Sequence, residues 1–201
     1  MLLGLRGQGQ STSGHQGVGA QVQGIVRATV RQLDDGSTVR LEGVPYPSGA
    51  NATYDADVAS GVRMVRHRID VLAGACPSSR IGLVGYSQGA QAVHLAAVHG
   101  VFSLVAMVGD PLRDPQDPLT TYSFGTHLSG RGNAGPGPGF PIGQRRGVVE
   151  VCVKGDNVCD APLTGRVGPV SATHRDFYGR PASASAAGSR LAQVVAVGPR
   201  P

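Results

Sequence analysis

Ser87 stands in the run Gly85-Tyr86-Ser87-Gln88-Gly89, a hydroxyl with a glycine two residues away on either side. Directly before it lies a short apolar run, Ile81-Gly82-Leu83-Val84, and directly after it an alanine-rich stretch from Gln88 to His99. A buried strand, a tight turn and a helix make the setting of a nucleophile elbow. The turn is so sharp that a Cβ at either flanking position would strike the neighbouring strand or helix. The serine is then held with its Oγ exposed, while the helix N-terminus behind it offers backbone N–H groups to a developing oxyanion. The same glycines would also suit an ordinary strand-to-helix turn, so the serine has to be weighed with its partners.

A serine hydroxyl is a poor nucleophile until a base takes its proton and an acid orients that base. With an elbow of this kind the acid and then the histidine follow the serine along the chain. His15 and His67 precede Ser87, and His94 and His99 ride on the following helix, which runs away from the hydroxyl and suits them to packing or surface roles. His127 falls in an irregular stretch and remains a rival. His174, between the last core strand and the terminal helix, has the position expected of the base.

The candidate acids are Asp110, Asp156 and Asp160. Asp110, at a strand end before Pro111, fits either a triad or a turn role, with the turn favoured. The stretch Cys152-Val-Lys-Gly-Asp-Asn-Val-Cys159 argues for Asp156. Six residues between the cysteines exceed zinc-knuckle spacing and suit a small disulfide loop. Closing it stabilises the fold by about 2 to 3 kcal/mol on the chain-entropy argument. It would also hold Asp156 rigid at the tip, as a carboxylate that fixes an imidazole tautomer must be. Such chemistry needs no metal and no organic cofactor.

The elements that must carry these residues alternate. Met1 to Leu5 reads as a first core strand. Val22, Ile25, Val26, Val30 and Leu33 recur at helical spacing up to a turn at Asp34-Asp35-Gly36. Thr38 to Tyr46 reads as a strand closed by Pro47 and Gly49. A helix is predicted over about 54–74, with Val58, Val62, Val65, Ile69 and Leu72 on one face. Ile81 to Val84 and Leu104 to Val108 are continuous apolar runs, the mark of strands buried on both faces. Val148 to Val153 is another strand, and Ala182 to Val197 a final helix. Strand and helix in alternation imply parallel strands with helical crossovers, an α/β fold. From about Asp114 to Gly147 periodicity disappears, and a loop this long is functional or mobile; its Gly/Pro-rich part, Gly130 to Gly143, could gate the site.

At 201 residues the chain has the length of a single domain. Apolar residues form 40% and charged residues 15%, which excludes a charge-driven disordered chain. No apolar run is long enough for a stable membrane insertion. The net charge of +5 comes almost wholly from arginines scattered along the chain, Arg6, Arg40, Arg113 and Arg190 among them, without the clusters and interleaved aromatics of a nucleic-acid surface. The Arg6-Gly7-Gln8-Gly9-Gln10-Ser11-Thr12 loop lacks the Gly-Lys-Ser/Thr that grips phosphate. Met1 to Leu5 is too short for a signal peptide and has no basic start. The protein is therefore expected to be cytoplasmic, a phage product released at lysis, or a secreted chain that lost its leader.

The Gly-Tyr-Ser-Gln-Gly-Ala run preceded by Cys76-Pro77, with Cys152-x-x-Gly155-Asp156-x-x-Cys159 and a histidine further on, resembles the cutinase family of serine esterases over nearly the whole chain. The resemblance implies an α/β-hydrolase fold, a small three-layer sandwich around a central parallel sheet. It makes Ser87 the nucleophile, Asp156 the acid and His174 the base, with Cys152 bridged to Cys159. The oxyanion donors would be the N–H of Gln88 and of Gln8, where the family carries Ser or Thr. Arg175 stands where fungal members place an apolar residue. Cys76 loses the N-terminal partner usual in the family and is expected to be an unpaired buried hydrophobe, which again suggests a shortened secreted protein. The activity implied is hydrolysis of short to medium acyl, polyester or lipid esters by an extracellular or cell-envelope monomer. Three alternatives remain: a phage-type mycolyl-ester hydrolase, an acyltransferase, and a non-catalytic binding domain on the same fold.

Overall fold

The computed structural model describes residues 1–33, 38–49, 51–164 and 168–197. The turn expected at Asp34-Asp35-Gly36 lies outside them. Six strands form one sheet: β1 (Leu2–Leu5), β2 (Leu41–Gly43), β3 (Gly82–Tyr86), β4 (Leu104–Val108), β5 (Thr120–Tyr122) and β6 (Val148–Val151). They are all parallel, in the order β2-β1-β3-β4-β6-β5. The helices are α1 (Gly19–Val30), α2 (Tyr54–Ala75), α3 (Gln88–Ala97), α4 (Ala172–Asp176) and α5 (Pro181–Val197).

The strand order fixes the layers. From β1 the chain steps outward to β2, then returns past β1 to β3 and continues to β4. Right-handed crossovers therefore put α1 on one face and α2 and α3 on the other. Every residue of β1, β3, β4 and β6 is buried, as continuous apolar runs covered on both sides must be. Alternation sends Leu3, Leu5, Leu83, Val105 and Met107 towards Val58, Val65 and Leu72 of α2 and Val93 of α3. It sends Val84, Tyr86, Ala106, Val108, Val149 and Val151 towards Val22, Ile25 and Val26 of α1 and Leu191 and Val194 of α5. The result is the three-layer α/β sandwich expected.

Several boundaries differ from expectation. The strand predicted over 38–46 is only Leu41–Gly43, because β2 lies at the sheet edge and pairs over three residues. Leu33 falls beyond α1, and Val98 and His99 beyond α3. The segment 114–147 is not wholly irregular: it contains β5 and a 3₁₀ turn at Arg145–Gly147. Its glycine-rich part is laced by main-chain bonds, including Gly132 N–H to Arg113 O (2.7 Å), Asn133 N–H to Val158 O (2.8 Å) and Gly137 N–H to Leu112 O (2.9 Å). Cys76 is free but exposed, not buried. The 22-residue α2 outruns the short strands beneath it, and residues 73–78, at its end and just beyond it, are all exposed.

Candidate active site

The order of strands reverses between β1 and β3, so the loops after those two strands diverge and leave a crevice at their C-terminal ends. Ser87 follows β3 and Gln8 follows β1. Ser87 joins strand to helix with φ 56° and ψ −122°, a strained conformation for a residue with a side chain. The flanking glycines are required by contact. A Cβ on Gly85 would lie 2.3 Å from the carbonyl oxygen of Gly89, and one on Gly89 would lie 2.4 Å from the carbonyl oxygens of Leu5 and Arg6. The elbow is therefore wedged between its own helix and the end of β1.

His174 reaches this serine from α4. Ser171 caps that short helix, its Oγ accepting the His174 N–H at 3.1 Å. The imidazole Nε2 is 2.8 Å from Ser87 Oγ, and Nδ1 is 2.9 Å from both carboxylate oxygens of Asp156. A carboxylate only accepts, so Nδ1 carries the proton and Nε2 is left to accept the serine O–H. Asp156 is fully buried. Its Oδ1 accepts the Val158 N–H at 2.9 Å and its Oδ2 the Tyr178 O–H at 2.6 Å. The loop holding it is closed by the Cys152–Cys159 disulfide. Asn157 ties that loop to the approach of α4: its Nδ2 donates to Pro169 O (2.7 Å), and its Oδ1 accepts from Ser171 N–H (2.8 Å). The ring of Tyr86 stacks on His174, centroids 5.0 Å apart, and its hydroxyl donates to the His174 carbonyl. Burial pushes the Tyr86 and Tyr178 phenols well above their ordinary value, the Asp156 charge adding to it, so both remain donors.

The other candidates lie elsewhere. His127, His67 and His99 are exposed, and His15 bonds Gln23 at 3.0 Å. Asp110 makes the turn expected, its Oδ1 accepting the Leu112 N–H at 3.0 Å, but its Oδ2 also pairs with His94 Nδ1 at 2.6 Å. His94 is buried, and its Nε2 faces the Pro138 carbonyl at 2.9 Å. Asp160 accepts from the N–H groups of Ser129 and Gly130 and faces Arg113. Gln88 begins α3, its amide side chain buried between Tyr46 and Tyr54. Gln8 turns its side chain to Asn51, Nε2 to Oδ1 at 2.8 Å. Tyr178, Asn157 and Tyr86 were not singled out in the sequence. Only Asn157, adjacent to an acid inside the cysteine loop, carried a positional hint. Among the described residues no three His, Cys, Asp or Glu side chains gather to hold a metal ion.

The cutinase family model matches residues 3–187. The chain belongs to the cutinase family. Cutinase CUT1 of Coprinopsis cinerea is 32% identical over 119 residues, 54% of this chain and 55% of that one, so the match spans about half the length of this curated relative. A cutinase-like protein from Cryptococcus sp. superposes with a TM-score of 0.72 at 23% identity, over 98% of this chain and 94% of its own. The catalytic core domain of acetyl xylan esterase from Trichoderma reesei gives a TM-score of 0.73 at 18% identity, covering 97% and 96%. At these identities the two structures share the cutinase fold. Among the described residues no helix is long and apolar enough to cross a membrane.

Proposed function

We propose that this protein is a carboxylic ester hydrolase that works through an acyl-enzyme on Ser87. The observation that carries the reading is the single line of contacts from Ser87 Oγ through His174 to a carboxylate sealed from solvent. Ser87 attacks the ester carbonyl while Nε2 of His174 takes its proton, and the imidazolium so formed is stabilised by Asp156. The proton passes to the departing alcohol. Water then enters and attacks the acyl carbonyl, giving its proton to the same nitrogen; the acyl–Oγ bond breaks, His174 returns the proton to Ser87, and the acid is released.

The Gln88 N–H, at the first position of α3, and the Gln8 N–H are the donors to the oxyanion. With the Gln8 amide turned to Asn51, the main-chain N–H is what that residue offers. Arg175 is exposed beside the base, its guanidinium folded onto the Val170 carbonyl. A long alkyl chain laid there would strip water from a charge, which favours short to medium acyl groups or polyester units. The family and the disulfide support an extracellular site of action.

Hydrolysis of p-nitrophenyl esters from acetate to palmitate, wild type beside Ser87→Ala, tests the reading. Expected are turnover greatest with the shorter acyl groups and a loss of at least ~10³-fold in the variant. No turnover by folded, oxidised wild type, or equal turnover by Ser87→Ala, overturns it.

A further inference from the structure

The chain has nine aromatic residues, four Phe and five Tyr. Five of them form one connected group behind His174. Ring centroids run Tyr122–Phe124 4.6 Å, Phe124–Phe177 4.9 Å, Phe177–Tyr178 5.7 Å and Tyr178–Tyr86 6.0 Å, ending on His174 at 5.0 Å from Tyr86. Within this group only Tyr178 aims a polar atom at the carboxylate. It is fully buried, its ring stands edge-on to the imidazole at 83°, and its hydroxyl lies 2.6 Å from Asp156 Oδ2 and 3.5 Å from Cys159 Sγ.

The arrangement of donors around Asp156 gives that hydroxyl a function. Nδ1 of His174 sits the same distance, 2.9 Å, from both carboxylate oxygens. Rotation of the carboxylate about its Cβ–Cγ bond would break that symmetry. The Val158 N–H holds Oδ1 and the Tyr178 O–H holds Oδ2, one donor at each end. The two bonds lock the plane of the group, and the phenol draws charge towards Oδ2, away from the imidazole. With Asp156 and Tyr178 both at 0% exposure, no water stands ready to replace the phenol.

Resting on the reading of Ser87 and His174 given above, we propose that Tyr178 is a positioning residue of the hydrolytic centre, fixing the Asp156 carboxylate and setting how strongly it favours the protonated base. It touches no substrate. Its effect passes wholly through Asp156 to His174.

Tyr178→Phe keeps the ring and removes the bond. The carboxylate then concentrates its charge on the imidazolium and loses one of its two anchors. Expected are a fall in kcat of about tenfold with KM unchanged, and an acid limb of kcat/KM moved up by about half to one pH unit. The charged and titratable groups in contact with His174 are Asp156 from the disulfide loop, Tyr86 from β3 and Tyr178; Arg175 and Asp176, next to it on α4, are exposed, with Arg175 turned to the Val170 carbonyl. Asp110, after β4, is turned to His94. The substitution alters only the Tyr178 hydroxyl.

Rates are expressed per active site, counted by titration with diethyl p-nitrophenyl phosphate, so that a loss of folded protein does not enter them. A limb that stays in place or moves down, or a kcat per titrated site equal to wild type, overturns the proposal. An inactive wild type or a fully active Ser87→Ala would instead sink the reading it rests on.

Discussion

Two buried His–Asp couples lie at the C-terminal edge of the sheet, and they differ in what the second imidazole nitrogen meets. For His174 that nitrogen faces the Ser87 hydroxyl; for His94 it faces the Pro138 carbonyl. A carbonyl and a carboxylate both demand donors, so the His94 ring is held as a cation. Burial opposes that charge, but the Asp110 charge and hydrogen bond, with Pro138 and Glu150 adding, push its pKa up to about 9. A ring protonated at neutral pH, with both nitrogens already engaged, is unsuited to take a proton there, and this sets His94 apart as a clamp from His174, the proposed base. Asp156→Asn should therefore lower kcat by about 10⁴-fold in protein that still folds, because the imidazole loses its tautomer. Asp110→Asn should leave the rate per folded molecule within tenfold of wild type and lower stability by about 3 kcal/mol, since it strands a buried cation. Steady-state rates and urea melts on both variants check this, and equal losses of rate would reverse the choice of acid. The turn role of Asp110 was legible from its place before Pro111. Its pairing with His94 was not, because 16 residues separate the two and only the β3–α3–β4 crossover brings them together.

At the scale of elements, legibility followed the source of order. Strands β1, β3, β4 and β6 were legible because burial on both faces leaves an unbroken apolar run. The three residues of β5, Thr120-Thr121-Tyr122, are exposed or half-buried on the sheet edge and carry no such run. The Gly/Pro-rich stretch offers no periodicity at all, and its order is imposed from outside. Arg113 donates to the carbonyls of Cys159 and Gly130, Asp160 receives two N–H groups from 129–130, and His94 holds Pro138. The loop of Asp156 was readable because its cysteines and acid are local in sequence. Tyr178 was not, since nothing in its neighbours says where its hydroxyl points. The same locality makes the disulfide testable. Reducing Cys152–Cys159 should cost about 2 to 3 kcal/mol in chemical melts. Because Asp156 and Asn157 both depend on that loop, esterase activity should fall before the fold is lost. Activity that tracks the folded fraction throughout a dithiothreitol titration would show that the loop keeps its geometry without the bond.

For the molecule as a whole, the buried charges behind the sheet edge set how stability answers to pH. Glu150 lies in the middle of β6, almost fully buried, with Thr121 Oγ1 donating to it at 3.1 Å. Burial raises its pKa to about 8, and the Asp110 charge adds to this against the opposing pull of Arg113, the Thr121 bond and His94. Glu150 and His94 thus both hold protons more tightly in the fold than in the unfolded chain. What they contribute is full below their ordinary values and is lost as pH rises through the folded ones, from 4.5 to about 8 for Glu150 and from 6.5 to about 9 for His94. The two windows overlap, so Tm should decline between pH 6 and 9. Glu150→Gln keeps the side-chain volume and an oxygen for Thr121 while removing the ionisation. It should melt within about 2 °C of wild type at pH 5, melt about 2 to 4 °C higher at pH 8.5, and show a shallower slope between. Calorimetric melts at half-unit steps measure both curves. Parallel curves would mean that Glu150 is already ionised at neutral pH and that Arg113 and His94 together hold it as an anion.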